Sequence, residues 1–136
     1  MVKVYSGLSG SGKTKQMIQT INDAAQNESG SVVCIEKGNK LTYDINYKVR
    51  LIDYREYQLD GAEALEAFIS GLHAGNFDIT HIFLKSVHRL LGTDDAAAIA
   101  DFCDWCERFG AANTVSFTMT APVHPESAPE ALKKYF

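Results

Sequence analysis

Apolar positions along the chain follow two periodicities, one typical of strands and the other of helices. Residues 2–6 alternate apolar and polar side chains, which predicts a strand. The next periodic segment, Lys13–Asn27, predicts an amphipathic helix. Its apolar residues share one helical face and are Met17, Ile18, Ile21, Ala24 and Ala25. A loop over residues 7–12 joins these two elements.

The same succession continues through the rest of the chain. Further strands are predicted at residues 31–35, 49–52, 79–87 and 114–120. Two further helices are predicted, one opened by Asp60 and Glu63 as a capping box, the other running from Thr93 to Gly110. Strands that alternate with helices favour an α/β fold, here a three-layer αβα arrangement around a mainly parallel five-stranded sheet. No linker composition interrupts residues 1–136, so a single domain is expected.

Composition narrows the class of protein. The 136 residues are 46% hydrophobic and 22% charged, which excludes a chain disordered by composition. The net charge is −4, which argues against a nucleic-acid coat or a membrane-surface binder. No apolar stretch approaches the ~18–20 residues of a membrane span. Three cysteines and the lack of a signal-peptide pattern predict a cytoplasmic location; Cys103 and Cys106 share a helical face and are expected in the core.

One motif carries specific chemistry. It lies between the first strand and the first helix and matches the Walker A pattern G-x-x-x-x-G-K-[ST]. Its residues are Gly7, Leu8, Ser9, Gly10, Ser11, Gly12, Lys13 and Thr14. Glycines there let backbone N–H groups form a nest for phosphate oxygens at the positive end of a helix. Lys13 would reach the β- and γ-phosphates of a nucleotide, and the Thr14 hydroxyl would bind Mg²⁺.

The motif resembles that of P-loop NTPases, and the order of elements is similar to a RecA-like ATPase core. The chain also resembles small bacterial ATP-binding proteins labelled twitching-motility (PilT-like) ATPases, although it has no room for the N-terminal domain and the further His and Asp boxes of true pilus motors. The matched motif covers residues 7–14, whereas the element order covers the whole chain. The resemblance implies ATP and Mg²⁺ as cofactors. It further implies an acidic residue after an apolar strand as a second magnesium element.

The sequence departs from that family pattern at the expected acid. The best matching strand ends at Leu84 and is followed by Lys85, a cation that cannot hold a magnesium-bound water. Either the protein binds nucleotide without efficient hydrolysis, or another carboxylate serves. Glu36 follows the second strand, and the RecA-like resemblance implies a water-orienting, catalytic role for it; the alternative is an exposed acid in a turn. Asp53 ends the third strand and is a candidate metal ligand, with an ordinary surface acid as its alternative.

Other polar residues have weaker functional interpretations. Thr118 and Thr120 lie where RecA-like folds carry a γ-phosphate sensor, but threonine is also a good strand former. Arg89 and Arg108 are candidate arginine fingers that would act on a neighbouring subunit. Four tyrosines are interleaved with basic residues, a mixture that either stacks nucleic-acid bases or forms a half-buried hairpin, which is favoured. They are Tyr43, Tyr47, Tyr54 and Tyr57.

The sequence thus supports three functional hypotheses. The first is an ATP-binding P-loop protein with slow or partner-dependent ATPase activity, in which Lys13 and Glu36 are catalytic. The second is a nucleotide-dependent switch or assembly module without efficient hydrolysis, acting through self-association or a protein partner. The third is a small-molecule kinase, although the chain leaves little length for a lid.

Overall fold

Five strands among the described residues form one sheet, and all of them run parallel. The structure is a computed structural model that describes residues 1–136 except Ser9 and Ser11. The strand order is β1-β5-β4-β2-β3, so β1 and β3 are the two edge strands. The strands are β1 (Val2–Ser6), β2 (Ser31–Glu36), β3 (Arg50–Asp53), β4 (Ile79–Leu84) and β5 (Ser116–Ala121).

Helices cover both faces of the sheet, which confirms the α/β class and the layered arrangement. They are α1 (Lys13–Asn27), α2 (Ala62–Gly75), α3 (Val87–Leu91), α4 (Ala96–Asn113) and α5 (Glu130–Lys133). A 3-10 turn, Tyr54–Tyr57, follows β3 directly. The predicted bounds of α1 agree with the structure, and its buried residues Met17, Ile21 and Ala24 recur at helical spacing.

The alternation of side chains in β2 shows how the two layers divide. Val32 and Cys34 point to the face covered by α1, where they pack with Met17 and Ile21. Val33 and Ile35 belong to the larger apolar cluster on the opposite face, which α2 and α4 cover. Such a strand, buried on both faces, is a run of β-branched and apolar residues rather than an alternating pattern.

The cysteines confirm their expected place in this core. Cys34, Cys103 and Cys106 are all buried and free. Burial raises the pKa of the Cys34 and Cys103 thiols to about 12 in each case. Thiols with such a pKa stay protonated at neutral pH and pack as small apolar groups.

The chain after β5 covers the outer edge of β1. The Val4 N–H donates a hydrogen bond to the Tyr135 carbonyl at 2.8 Å, and the Gly7 N–H donates to the Val123 carbonyl at 3.0 Å. The hydroxyl of Tyr135 is bonded in turn to the Asp104 carboxylate on α4. These bonds satisfy donors that an edge strand would otherwise present to solvent.

Several predicted boundaries were wrong. The fourth strand ends at Leu84, not at residue 87, because Ser86 has the left-handed backbone φ of 55° and α3 begins directly after it. The helix α4 continues past Gly110 to Asn113 and is ended by Thr114, which has a φ of 57°. The helix α2 begins after Gly61, which takes the N-cap position that the capping-box pattern had assigned to Asp60.

The basic and tyrosine-rich segment does not form the favoured hairpin. Residues 37–49 are a series of turns, and β3 pairs parallel to β2 rather than antiparallel to a hairpin partner. Tyr43 and Tyr47 are 98% and 89% exposed, whereas Tyr54 is buried with its ring edge-on to Phe68. The four tyrosines therefore divide between solvent and core.

Two helical glycines provide a matched test of this packing. A Cβ atom at Gly110 would lie 2.3 Å from the Val115 carbonyl oxygen, whereas one at Gly71 would meet no atom within 4 Å. We expect Gly110→Ala to lower the free energy of unfolding by about 1–3 kcal/mol, because backbone must move to admit the methyl group. Gly71→Ala should raise it by about 0.5–1 kcal/mol through helix propensity. Urea denaturation measures both, and equal effects of the two variants would contradict the described packing.

Candidate functional site

A cleft of about 580 Å³ opens at the carboxyl ends of β1, β5 and β4. The Walker A segment and the first turn of α1 form one wall, and the turn from β4 into α3 forms the other. Thr120, at the end of β5, lies between them. Ligands of open parallel sheets bind at this edge, outside the carboxyl ends of the strands.

The Walker A segment enters α1 through glycine. Gly12 is the N-cap residue of α1 with a left-handed φ of 85°, so glycine is required there by backbone conformation. Because Gly12 has no side chain, it supplies no side-chain cap to the first-turn N–H groups of α1. These N–H groups and the helix dipole favour an anion at this end of the helix. The predicted binding residues Ser9 and Ser11 lie outside the described residues.

Lys13 lies at the cleft with its ammonium turned back on the loop. Its Nζ donates a hydrogen bond to the carbonyl oxygen of Leu8 at 3.1 Å. Partial burial lowers the pKa of Lys13, and the charge of Lys85 lowers it further. Two ammonium groups that destabilise each other electrostatically are a favourable environment for an anion. Thr14 also lines the cleft and is exposed to it.

Lys85 follows β4 and forms a shielded ion pair with Glu36 at the end of β2. The distance between Lys85 Nζ and Glu36 Oε1 is 3.5 Å, and the side chains are only 12% and 7% exposed. The second oxygen of Glu36 accepts a hydrogen bond from the Leu41 N–H at 3.4 Å. The expectation that Glu36 could be an exposed acid in a turn is wrong. Its carboxylate is directed at Lys85 because the two residues end neighbouring strands.

Glu36 is not among the residues that line the cleft. Its carboxylate contacts Lys85 and the Leu41 N–H, and among the described residues Lys85 is the one cleft-lining residue that it pairs with. The water-orienting role of Glu36 therefore stays a prediction. In the observed arrangement it balances the charge of Lys85.

The structure does not bring Asp53 to the Walker A segment. Asp53 ends β3, four strand positions from β1, or roughly 19 Å at about 4.8 Å per strand. Its carboxylate is paired with Arg55, with Arg55 Nη2 at 2.6 Å from Asp53 Oδ2. Hydrogen bonding by the Arg55 guanidinium lowers the pKa of Asp53. The prediction that Asp53 binds a metal together with Thr14 is not supported by this placement.

The residues of the cleft do not fit a protein-held magnesium ion. Within the part of the chain that the structure describes, the cleft is lined by no carboxylate, and no cluster of three or more His, Cys, Asp or Glu could hold a metal. Mg²⁺ in nucleotide sites is ordinarily held by one or two carboxylates together with phosphate oxygens. Thr14 offers one hydroxyl. The charged side chains that line the cleft are instead cationic, namely Lys13, Lys15, Lys85 and Arg89.

The turn after β4 brings Ser86 and His88 to the cleft. From the sequence, Ser86 was only a weak candidate to bind a metal-bound water, and His88 was expected to be a structural or surface residue. The Ser86 N–H donates a hydrogen bond to the Thr120 hydroxyl at 2.7 Å, which holds the left-handed backbone of Ser86 against β5. His88 also lines the cleft, and its Nδ1 is buried without a hydrogen-bond partner among the described residues. Burial and then the charge of Arg89 lower the pKa of His88. The sequence signal that could have placed these residues at the cleft is their position one to four residues after Lys85.

The two candidate sensor threonines have different environments. Thr120 lies at the cleft, whereas Thr118 is two residues earlier in β5 and is bonded to His81 Nε2 at 2.8 Å. His81 Nδ1 lies 2.7 Å from Glu28 Oε2. Because a carboxylate only accepts, Nδ1 carries the proton and Nε2 accepts the Thr118 hydroxyl. Of the candidate fingers, Arg89 lines the cleft, and Arg108 lies on α4, which covers the opposite face of the sheet from α1.

No protein-family model and no curated protein matches the sequence. Among the described residues, no helix is both long and apolar enough to cross a bilayer.

The Glu36–Lys85 pair has a testable energetic consequence. Lys85→Met leaves the Glu36 carboxylate buried without its cation, and we expect the free energy of unfolding to fall by about 3 kcal/mol. The double variant Glu36→Gln/Lys85→Met removes both charges and should recover most of that loss. Chemical denaturation of the wild type, Glu36→Gln, Lys85→Met and the double variant gives the coupling energy. Additive effects of the two substitutions would contradict the ion pair.

His81 predicts a pH dependence of stability. Burial lowers its pKa in the folded state, and this outweighs the opposing effect of Glu28. The unfolded chain then binds the proton more readily than the folded protein does. The contribution of neutral His81 to the free energy of unfolding is therefore fully present above a pH of about 6.5, and it falls as the pH drops toward the lower pKa of the folded state. We expect the stability difference between wild type and His81→Gln to narrow between pH 7.5 and pH 5. A difference that stays constant over this range would show that His81 does not titrate as described.

Proposed function

We propose that this protein binds a nucleoside triphosphate, with ATP as the expected nucleotide, at the cleft that Gly10 and Gly12–Thr14 of the Walker A motif form with the turn after β4. The observation that carries the proposal is the convergence of a glycine-bearing Walker A segment, the N-terminus of α1 and the lysines Lys13 and Lys85 on one cleft. Such a site supplies backbone donors and positive charge together. A chain of phosphates is the ligand that needs both.

The size of the cleft supports a ligand larger than a single phosphate. Its volume of about 580 Å³ lies within the range of small-molecule sites, which commonly measure about 300–1,000 Å³. The phosphates would lie against Gly12 and the first turn of α1. Lys13 would exchange its hydrogen bond with the Leu8 carbonyl for a phosphate oxygen, since the charged acceptor forms the stronger bond.

The geometry supports binding better than rapid hydrolysis. Efficient hydrolysis requires an oriented water and stabilisation of the charge that develops in the transition state. The residue after β4 is a lysine, and the nearest predicted water-orienting group, Glu36, is held by that lysine. We propose that hydrolysis is slow on its own or depends on a partner that supplies the missing group.

A specific contact favours a second candidate, a nucleotide-dependent switch. Glu36 links the cleft to the turns of residues 37–49, because it contacts Lys85 on one side and accepts the Leu41 N–H on the other. An anion that attracts Lys85 weakens its contact with Glu36 and so changes the restraint on this segment. The exposed Tyr43 and Tyr47 lie in the same segment. A protein partner that contacts these tyrosines would then sense the occupancy of the cleft.

Nucleotide binding should weaken when the Walker A lysine is removed. We expect ATP at one hundred times its dissociation constant to raise the free energy of unfolding of the wild type by about 2.7 kcal/mol. Lys13→Ala should weaken ATP binding by about 10- to 100-fold, since it deletes a charged hydrogen bond to phosphate. Thermal denaturation with and without ATP, together with calorimetric titration, measures both quantities.

The exposed Lys40 provides the matched control for charge. Lys40 lies outside the cleft and forms no ion pair among the described residues, so Lys40→Ala should bind ATP as the wild type does. The proposal fails if neither ATP nor GTP stabilises the wild type.

Phosphate release should be slow, and loss of that release in Glu36→Gln with retained binding would support a water-orienting role for Glu36. Changed hydrogen exchange at residues 37–49 on ATP addition would favour the switch.

A further inference from the structure

We propose that the cleft takes its nucleotide as the metal-free anion, with the Lys85 ammonium in place of Mg²⁺. This inference rests on the proposed nucleotide binding and adds the ionic form of the ligand. It follows from the mismatch between the magnesium that a Walker A motif implies and the side chains that surround it here. The deciding residue is Lys85, which the ion pair with Glu36 holds at the cleft.

The first step is the balance of charge at the cleft. Lys13, Lys85 and Arg89 line it, and no described carboxylate does. Glu36 reaches the cleft only through Lys85, whose charge it partly compensates. A free nucleoside triphosphate carries more negative charge than its magnesium complex, so it gains more from this surrounding of cations. A bound Mg²⁺ would lie beside ammonium groups that repel it.

The second step is the freedom of Lys85 to bind a phosphate. An ammonium has three donors, and strong charge-assisted N–H···O bonds measure about 2.7–2.9 Å. The only acidic partner of Lys85 among the described residues is Glu36, at the longer distance of 3.5 Å. Lys85 can therefore keep its contact with Glu36 when the cleft is empty and turn toward phosphate oxygens, which are strong acceptors, when they are present.

The third step is the position of Lys85 relative to Lys13. Lys13 begins α1 at one wall of the cleft, and Lys85 follows β4 at the other, with Thr120 of β5 between them. Each lysine lowers the energy of an anion that lies in the gap, and the charge of Lys85 adds to partial burial in lowering the pKa of Lys13. The phosphates would thus be held between two ammonium groups.

The test compares ATP affinity in EDTA with affinity in excess magnesium, by calorimetric titration at constant ionic strength. We expect the dissociation constant in EDTA to be equal to or lower than that in magnesium. Binding that appears only with magnesium overturns this inference and leaves the proposed function standing. Absence of binding in both conditions overturns the proposed function itself. Inorganic tripolyphosphate is titrated in parallel: it should also bind in EDTA, because the claim concerns the phosphate chain, and its failure to bind there would contradict the claim.

Substitutions at the ion pair test whether Lys85 itself is responsible. The double variant Glu36→Gln/Lys85→Met avoids a buried unpaired charge and should weaken binding in EDTA by about tenfold or more. Glu36→Gln alone removes the competitor for Lys85 and should tighten binding in EDTA. A merely structural role of the pair would not produce that gain. Lys40→Ala is the control, and its dissociation constant for ATP in EDTA should equal that of the wild type. If the double variant also binds ATP in EDTA as tightly as the wild type does, Lys85 does not replace the metal.

Discussion

The parallel direction of all strands in the described sheet is the constraint on which the arrangement of the site depends. It places the carboxyl ends of β1, β4, β5 and β2 on one edge, so residues far apart in the chain meet there. The order β1-β5-β4-β2 then sets which of them are neighbours. Lys13 and Lys85 face each other across β5, and Glu36 meets Lys85 because β2 and β4 are adjacent. No local property of these residues would bring them together.

The ion pair between Lys85 and Glu36 joins stability to ligand binding. Two charges with little solvent exposure are costly to keep unless each compensates the other. In this protein the compensation is incomplete, since the contact is long and Lys85 also faces the cleft. Pairing at such a position keeps a cation at the site without fixing it there. The same pair would stabilise the folded protein when the cleft is empty. It would free the Lys85 ammonium to donate hydrogen bonds when an anion enters.

Much of the fold could be predicted from the sequence, because strands and helices here carry clear apolar periodicities. The bounds of α1 and the parallel α/β arrangement follow from that pattern. The end of β4 did not, because Ser86 takes a left-handed backbone that is stabilised by Thr120, a partner 34 residues away. The hairpin favoured for the tyrosine-rich segment was also wrong, since its mixture of tyrosines and basic residues has no single preferred structure; the irregular stretch expected from Lys37 to Lys48 is present as a series of turns.

The candidate site was predictable only in part, for a related reason. The Walker A segment is continuous in sequence, so its glycines and Lys13 could be recognised together. The environments of Glu36 and Asp53 depend on strand order, which the pattern of elements does not determine. Glu36 is buried against Lys85, whereas Asp53 at the far edge is paired with Arg55, and both acids follow apolar strands that look alike in sequence. His88 and Ser86 reach the cleft through the short helix that replaces the end of the predicted strand.

The hydrogen bonds on the outer edge of β1 have a consequence for how the Walker A segment is supported. Among the described residues, the strand that leads into this loop has a single strand neighbour, and its other side is held by the carbonyls of Val123 and Tyr135. Residues 122–136 are therefore a brace for the loop, even though most of them lie away from the cleft. Removing this brace would expose the N–H groups of β1 as a template for a strand from another molecule. The conformation of the segment that leads into α1 and the tendency of the protein to aggregate would then change together.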